Sequence, residues 1–295
     1  MAIKIFKERE KNIRLAKFYM VLLALLALGL IITIAYLTEN WLFTLIVFFY
    51  ALLVVVGNYL YISRLSHYLK GRELTKKNFK DAQILNIVEE LKLAAGHKEK
   101  VEVWEIPEES LNAFAYTTKD KGVIGIHKGA IEKLNRAEMS ALIGHELSHI
   151  INRDTDIKVS TFLILVFLGA IADFFISTLR SARGGRSKGV LGAIILGAIS
   201  LVALIIGKLL FYAISRRREA LADVEAVRLT RDKEGMLSLL NKLKQEEQRI
   251  KQKIDWKEAL TRVTNPKAHL YFWDLSGLLA SHPPLEERIK KVKEL

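Results

Sequence analysis

Long apolar blocks constrain the fold of this chain more than any other feature of the sequence. Two blocks cover residues 18–37 and 41–62, and two more cover residues 159–179 and 190–214. Each is close to the roughly 20 apolar residues that an α-helix needs to cross the hydrocarbon core of a bilayer. We therefore predict a mainly α membrane protein with four transmembrane helices, arranged as two hairpins.

The charged residues that flank the blocks predict the topology. Residues 1–17 and 63–80 are rich in Lys and Arg, which assigns both ends of the first hairpin, residues 18–62, to the cytoplasm. The turn of the second hairpin, residues 180–188, is also basic, and a full crossing would put it outside, against the positive-inside rule. Both interpretations of the second hairpin, residues 157–214, stay open, and we favour two full spans.

Composition excludes several classes of protein. The chain of 295 residues has no cysteine, so it has neither disulfides nor thiolate ligands, and any metal must be held by nitrogen and oxygen. Its formal net charge is +13, which basic cytoplasmic loops beside anionic lipid explain. Because the basic residues follow no nucleic-acid-binding pattern, we expect a lipid bilayer as partner and no nucleic acid.

Two stretches outside the hairpins, residues 63–156 and 215–295, form the predicted water-exposed part. Helical and alternating patterns follow one another in the first stretch, which is typical of an α+β domain. The predicted elements are a helix over residues 80–93 and strands over residues 101–106, 111–116 and 122–126.

The pentapeptide His145 to His149 carries the clearest chemical signal. Two histidines four positions apart share one face of a helix, so both imidazoles can reach a single metal ion. Glu146 lies between them and can deprotonate a water molecule at that ion. The chain has only seven histidines, which makes a chance match rare. Asn135, three residues before Glu138, predicts a capping box at the start of this helix.

A third metal ligand should come from a separate segment. The second hairpin returns the chain to its starting side just before Glu219, which we predict as that ligand. Asp223 lies four residues later on the same helical face, where it can fix the ring of a ligand histidine. The alternative for Glu219 is a surface carboxylate paired with Arg216 or Arg218, which its position and spacing disfavour.

These motifs resemble a known group of enzymes. His145-Glu146-x-x-His149 with Glu219-x-x-Ala222-Asp223 is similar to the gluzincin zinc peptidases, and more closely to the HtpX/Ste24 family of integral-membrane metalloproteases, peptidase family M48. The four apolar blocks look like HtpX rather than the Ste24 prenyl-protein proteases, which have seven spans. One departure is Tyr116-Thr117, where the family commonly has a small residue and Gly. Further matching stretches are Asn112-Ala113-Phe114-Ala115, Ser215-Arg216-x-Arg218-Glu219 and Ser281-His282-Pro283-Pro284-Leu285-Glu286-Glu287-Arg288.

The resemblance implies a zincin-like catalytic domain at the cytoplasmic face. It implies one Zn²⁺ per chain, held by His145, His149 and Glu219, with an open fourth position for water. It also implies that Glu146 takes the proton of the water and later passes it to the leaving amine.

Further roles follow from the resemblance alone. His282 is the candidate that stabilises the tetrahedral oxyanion, and its alternative role is a helix-capping histidine before two prolines. Arg288 either supports His282 or binds the substrate backbone. Asn112 and Ala113 resemble the strand on which gluzincins align an extended peptide. The four remaining histidines are expected at the surface: His67, His97, His127 and His269.

The expected function is therefore a zinc endopeptidase in the cytoplasmic membrane, multi-pass, with both termini and the active site in the cytoplasm. Its expected substrates are misfolded or damaged membrane proteins, as in protein quality control during stress, and self-cleavage is expected as well. Two alternatives stay open. One is a Ste24-like prenyl-protein (CAAX) protease, and the other is a catalytically silent membrane scaffold that keeps zinc for structure.

Overall fold

A computed structural model describes residues 2–65, 71–118, 121–181, 188–251 and 284–295. The chain divides into two compact units, each with its own hydrophobic core. The mixed unit comprises Met1–Arg14, Leu69–Asp156 and Ser215–Leu295, and the apolar unit comprises Leu15–Tyr68 and Ile157–Ile214.

The described elements are mostly helices, with four short strands between the second and the fourth helix. In chain order they are α1 (Ala2–Thr38), α2 (Trp41–Leu65), β1 (Arg72–Glu73), α3 (Phe79–Ala95), β2 (Lys100–Ile106), β3 (Ala113–Thr117), β4 (Lys121–His127), α4 (Lys128–Lys133), α5 (Arg136–Ile151), α6 (Asp154–Ser181), α7 (Lys188–Thr230), α8 (Lys233–Lys251) and α9 (Leu285–Lys293).

Three of the described helices are long and apolar enough to cross a membrane. The qualifying stretches are Glu10–Thr38 in α1, Asp154–Leu179 in α6 and Val190–Thr230 in α7. Helix α2 contains a shorter apolar stretch, Trp41–Gly57. The structure is thus mostly helical with three long apolar helices, and the fourth predicted span, in α2, stays a prediction.

The apolar unit exposes large hydrophobic side chains as well as burying them. Leu23 and Phe175 lie in its core, at 0% and 1% exposure, whereas Leu25, Phe49 and Val202 are more than half exposed. A continuous apolar surface of this kind marks contact with a membrane rather than with water. The outward face of this unit is therefore suited to lipid.

The mixed unit contains a four-stranded sheet with the order β1-β2-β4-β3. Strands β2 and β4 run parallel, while β1 pairs with β2 and β3 pairs with β4 in antiparallel fashion. Among the described residues β3 pairs only with β4, so it is an edge strand. The three predicted strands lie within two residues of β2, β3 and β4, and β1 was not predicted.

Helix α5 is the central helix of the mixed unit. Its first turn has the predicted capping box: the Asn135 side chain accepts from the Glu138 amide at 2.9 Å, and the Glu138 carboxylate accepts from the Asn135 amide at 2.9 Å. Residues 141–150 are all buried, the polar residues of the pentapeptide included. A helix surrounded in this way holds its side chains in fixed positions.

Gly144 allows α5 and α7 to pack closely. A Cβ atom at Gly144 would lie 3.3 Å from the Ala226 Cα atom and 3.6 Å from the Ala226 Cβ atom. Only a residue without a side chain lets two helix backbones approach so closely without displacing a neighbour. This contact brings the face of α7 that carries Glu219 and Asp223 against the face of α5 that carries the two histidines.

Candidate active site

Three predicted ligands converge in the mixed unit. The ligand atoms of His145, His149 and Glu219 all lie within 4.8 Å of one another, and all three residues are buried. The two Nε2 atoms are 3.2 Å apart, and the carboxylate oxygens of Glu219 lie 3.3 Å from His145 Nε2 and 3.6 Å from His149 Nε2. This group could hold one metal ion.

The spacing of these atoms suits a small tetrahedral ion. Ligand atoms placed about 2.1 Å from a tetrahedral zinc are about 3.4 Å from one another. The two Nε2 atoms are 3.2 Å apart, Glu219 Oε2 lies 3.3 Å from His145 Nε2, and Glu219 Oε1 lies 3.6 Å from His149 Nε2. Two imidazole nitrogens and a carboxylate oxygen are also ligands that zinc prefers. The residues present therefore fit zinc in both chemistry and spacing.

The ring of His145 is held by a carboxylate and an arginine. Its Nδ1 atom lies 2.9 Å from Asp223 Oδ1, and Arg288 donates to Asp223 through Nε at 2.9 Å and Nη2 at 2.6 Å. A carboxylate only accepts hydrogen bonds, so Nδ1 carries the proton, and the lone pair of Nε2 faces His149 and Glu219. The structure thus brings Asp223 to the ring of one of the two predicted ligand histidines.

The ring of His149 has a matching arrangement that the sequence analysis missed. Its Nδ1 atom lies 2.7 Å from Asp154 Oδ2, and Arg218 donates to Asp154 Oδ1 and, at 3.1 Å, to the carbonyl of Asn152. The sequence does place an aspartate five residues after His149. Its contact with His149 was not predicted because α5 ends between the two residues, and helical spacing does not apply across a turn.

Carboxylates surround the buried Arg288 side chain. The residue is 1% exposed. Burial acts to lower the pKa of Arg288, but Asp223, Glu219 and Glu146 outweigh burial, and the pKa is raised. Arg288 therefore stays charged next to Asp223, and its predicted role on a substrate stays a prediction.

Despite burial, the pKa of His145 is also raised by neighbouring carboxylates. Burial acts to lower the pKa of His145, yet the carboxylates of Asp223 and Glu219 raise it overall. Glu146, the predicted general base, is 2% exposed on the same helix. The site thus concentrates negative charge around two histidines, which favours a divalent cation.

The predicted peptide-binding residues lie at the start of the edge strand. Asn112 and Ala113 are 6% and 0% exposed, and Asn112 Oδ1 accepts from the Ala113 amide at 2.9 Å. The Asn112 carbonyl accepts from the His127 amide at 3.0 Å. Strand β3 packs against α5, so it runs beside the helix of the two histidines. His282 lies outside the described residues.

The expected surface position of His127 is wrong. The residue is 1% exposed at the end of β4, where its Nδ1 atom lies 2.6 Å from Ser110 Oγ and 3.5 Å from Glu108 Oε2. Burial lowers the pKa of His127 to about 4. The surface position was expected because histidine is polar. The sequence pattern does not show that the loop before β3 folds over the end of β4 and covers His127. His97 is partly buried, and His67 and His269 lie outside the described residues.

Comparison with known proteins agrees with this site. The profile of peptidase family M48 matches residues 78–295, which include every residue of the site. The chain belongs to peptidase family M48. The resemblance drawn from the sequence is thereby confirmed, and the chain is a membrane-bound metalloprotease.

Two relatives and one solved structure extend the comparison. The chain is 35% identical over 227 residues to the protease HtpX homolog of Dictyoglomus thermophilum, covering 75% of this chain and 71% of the relative. It is 34% identical over 244 residues to the protease HtpX homolog of Streptococcus pyogenes serotype M28, covering 76% of each. The crystal structure of S. mikatae Ste24p is similar over 98% of this chain and 66% of that one, with 17% identity and a TM-score of 0.44, too low to carry an argument.

Proposed function

We propose that this metalloprotease is a zinc-dependent endopeptidase with one metal ion held by His145, His149 and Glu219. The observation that carries the proposal is the convergence of two imidazole nitrogens and one carboxylate. The nitrogens are 3.2 Å apart, and one Glu219 oxygen lies 3.3 Å from His145 Nε2 while the other lies 3.6 Å from His149 Nε2, a donor set that suits zinc. When bound, zinc supplies a Lewis acid that polarises a peptide carbonyl and lowers the pKa of a water molecule.

The chain's own residues supply the rest of the reaction. Asp223 keeps the Nδ1 proton on His145, so that Nε2 is the ligand atom. Glu146, between the two ligand histidines, takes the proton of the attacking water and gives it to the leaving amine. Because Glu146 is buried, little bulk water competes for its carboxylate.

Strand β3 is the proposed docking edge for the substrate. An extended peptide can add to an edge strand by backbone pairing, and Asn112 and Ala113 lie where β3 begins. The role of His282 on the oxyanion rests on the family resemblance. For Arg288, its burial against Asp223 supports the holding of that carboxylate better than contact with a substrate backbone.

Membrane proteins, misfolded or damaged, are the proposed substrates, cleaved at the cytoplasmic face in a quality-control role. The long apolar helices of the same chain and the basic segments on either side of the first hairpin support this proposal. With α2 as the fourth span, since it is a helix of 25 residues, both termini and the site lie in the cytoplasm. Self-cleavage belongs to the same proposal.

The test compares Glu146→Gln with the parent and with Glu89→Gln, a matched change on the exposed face of α3. Purified full-length protein in detergent cleaves an unfolded model membrane protein, and zinc content is measured on the same samples. We expect Glu146→Gln to keep one zinc per chain and to lose about 10²- to 10⁴-fold in rate, with Glu89→Gln unchanged. A Glu146→Gln variant as fast as the parent would show that the general base is another group.

Two further experiments test the metal requirement and the two alternative functions. Removal of the metal with a chelator should abolish cleavage, and added zinc should restore it. A parent protein that contains no zinc and ignores the chelator would overturn the zinc assignment. Cleavage of a prenylated CAAX peptide in preference to the membrane protein would favour the Ste24-like alternative, and a zinc-loaded parent without any cleavage would favour the silent scaffold.

A further inference from the structure

One short segment of α7, residues 218–223, contains one proposed ligand and positions the other two. Glu219 is itself a ligand, and Asp223, one turn later, holds the ring of His145 at 2.9 Å. Arg218, the residue before Glu219, holds Asp154, which in turn holds the ring of His149 at 2.7 Å. Each proposed ligand histidine is thus hydrogen-bonded to an aspartate, and each of these aspartates accepts a hydrogen bond from an arginine.

The second of these pairs lies at a sharp turn. Arg153, with φ of 49°, separates α5 from α6, and this left-handed residue turns the chain so that Asp154 folds back onto His149. Asp154 and Arg218 are 1% and 4% exposed. Arg218 also bonds the Asn152 carbonyl at 3.1 Å, so a single guanidinium fastens both the turn and the carboxylate.

We propose that Arg218 is a positioning residue that acts through Asp154 on His149, and that residues 218–223 of α7 assemble the metal centre as one unit. The proposal rests on the proposed function, because it takes His149 and Glu219 as metal ligands. Neither Asp154 nor Arg218 touches the metal or the substrate. Their role is to fix the ring of His149 at the distance that Glu219 requires.

The chemistry of the two side chains supports this role. A carboxylate on the far nitrogen of a ligand histidine fixes the tautomer and the ring orientation, and its loss typically costs 10- to 100-fold in metal affinity. A buried carboxylate also needs a paired cation. Arginine can donate to the carboxylate and to the Asn152 carbonyl together because its donors form a rigid fork, whereas lysine is a single point charge.

The test uses full-length protein in detergent and two variants, Asp154→Asn and Arg218→Lys. Matched controls are Asp156→Asn, which changes an exposed aspartate of the same turn, and Arg217→Lys, which changes the neighbouring arginine of α7. Zinc dissociation constants are measured by competition with a coloured chelator. The visible spectrum of the Co²⁺-substituted protein reports the ligand geometry, and melting of the metal-free protein reports the fold.

We expect Asp154→Asn to raise the zinc dissociation constant about 10- to 100-fold and Arg218→Lys about 10-fold, each with an altered Co²⁺ spectrum. Both controls should stay within about twofold of the parent. If Asp154→Asn fails to fold, Arg218→Lys decides the question, because it preserves charge and approximate volume.

Two results overturn the proposal. One is a zinc affinity within twofold of the parent in both variants. The other is a lower metal-free melting temperature with an unchanged Co²⁺ spectrum, which would assign Arg218 to stability alone. Failure of the proposed function itself would appear separately, as a parent protein that binds no zinc.

Discussion

The two units of this protein satisfy their buried polar groups in opposite ways. In the mixed unit, buried carboxylates pair with groups far away in the sequence: Asp223 with His145, 78 positions away, and Glu138 with Lys242, 104 positions away. In the apolar unit, the buried hydroxyls of Thr44, Thr161 and Ser200 each donate to the carbonyl four residues earlier in the same helix.

The surfaces of the two units also differ, in how many large hydrophobic side chains they expose. Among the described residues, the exposed large hydrophobic side chains lie in the apolar unit except for Phe79 and Leu93. Lipid offers no hydrogen-bond partners, so a helix in lipid must satisfy its polar groups within itself. The mixed unit can instead use buried charge pairs to specify which elements meet. Three substitutions test this difference.

The largest effect is expected where the mixed unit would lose a buried charge. Arg288→Met leaves the Asp223 carboxylate buried without its cation, and we expect the free energy of unfolding to fall by about 3–5 kcal/mol. Arg136→Met, at a side chain that is 60% exposed and paired with Glu90, should cost less than about 1 kcal/mol. Denaturant unfolding in detergent measures both, and equal costs would remove the distinction.

The next effect concerns the outward face of the apolar unit. Val202 is 56% exposed near the middle of the apolar part of α7, and Val202→Arg should cost about 3 kcal/mol on membrane insertion. Leu93→Arg, on the exposed face of α3 in the mixed unit, should change stability by no more than about 0.5 kcal/mol. The fraction of inserted chain in isolated membranes reports the first change. Normal insertion of Val202→Arg would show that this face does not meet lipid.

The smallest of the three effects is a pH dependence confined to the mixed unit. Burial lowers the pKa of His127 to about 4, while an unfolded histidine has a pKa of about 6.5. The unfolded state therefore binds the proton more readily, and this stability is full above about pH 6.5 and is lost as the pH falls towards 4. Between pH 7 and 5 the parent should lose about 2 kcal/mol more than His127→Gln. The melting temperatures of the parent and of His127→Gln are measured across this pH range. Equal losses in the two proteins would contradict the prediction.

The sequence predicted those features that depend on local pattern. Apolar length located the long helices, alternation located β2, and the Asn135 and Glu138 pair located the start of α5. These succeed because each property belongs to one continuous stretch of chain. The His145–His149 spacing is of the same kind, since a helix brings residues four apart together.

Other features depended on contacts that no local pattern encodes. The parallel pairing of β2 with β4 and the two-residue strand β1 depend on tertiary packing. The burial of His127 depends on a loop that folds over a strand end. Asp154 reaches His149 only because the chain turns at Arg153. Glu219 was predictable because the apolar blocks over residues 159–179 and 190–214 are of similar length, so a hairpin of two spans was expected to return the chain to its starting side.

The long separations in the metal centre have a consequence for synthesis. The guanidinium of Arg288 lies 3.5 Å from the ring of His145, although the two residues are 143 positions apart. At about 5–20 residues per second, a ribosome needs roughly 7–30 s to proceed from one to the other. Throughout that interval the pentapeptide exists without the arginine that holds Asp223 beside His145. The order of translation thus delays completion of this centre until Arg288 has been made.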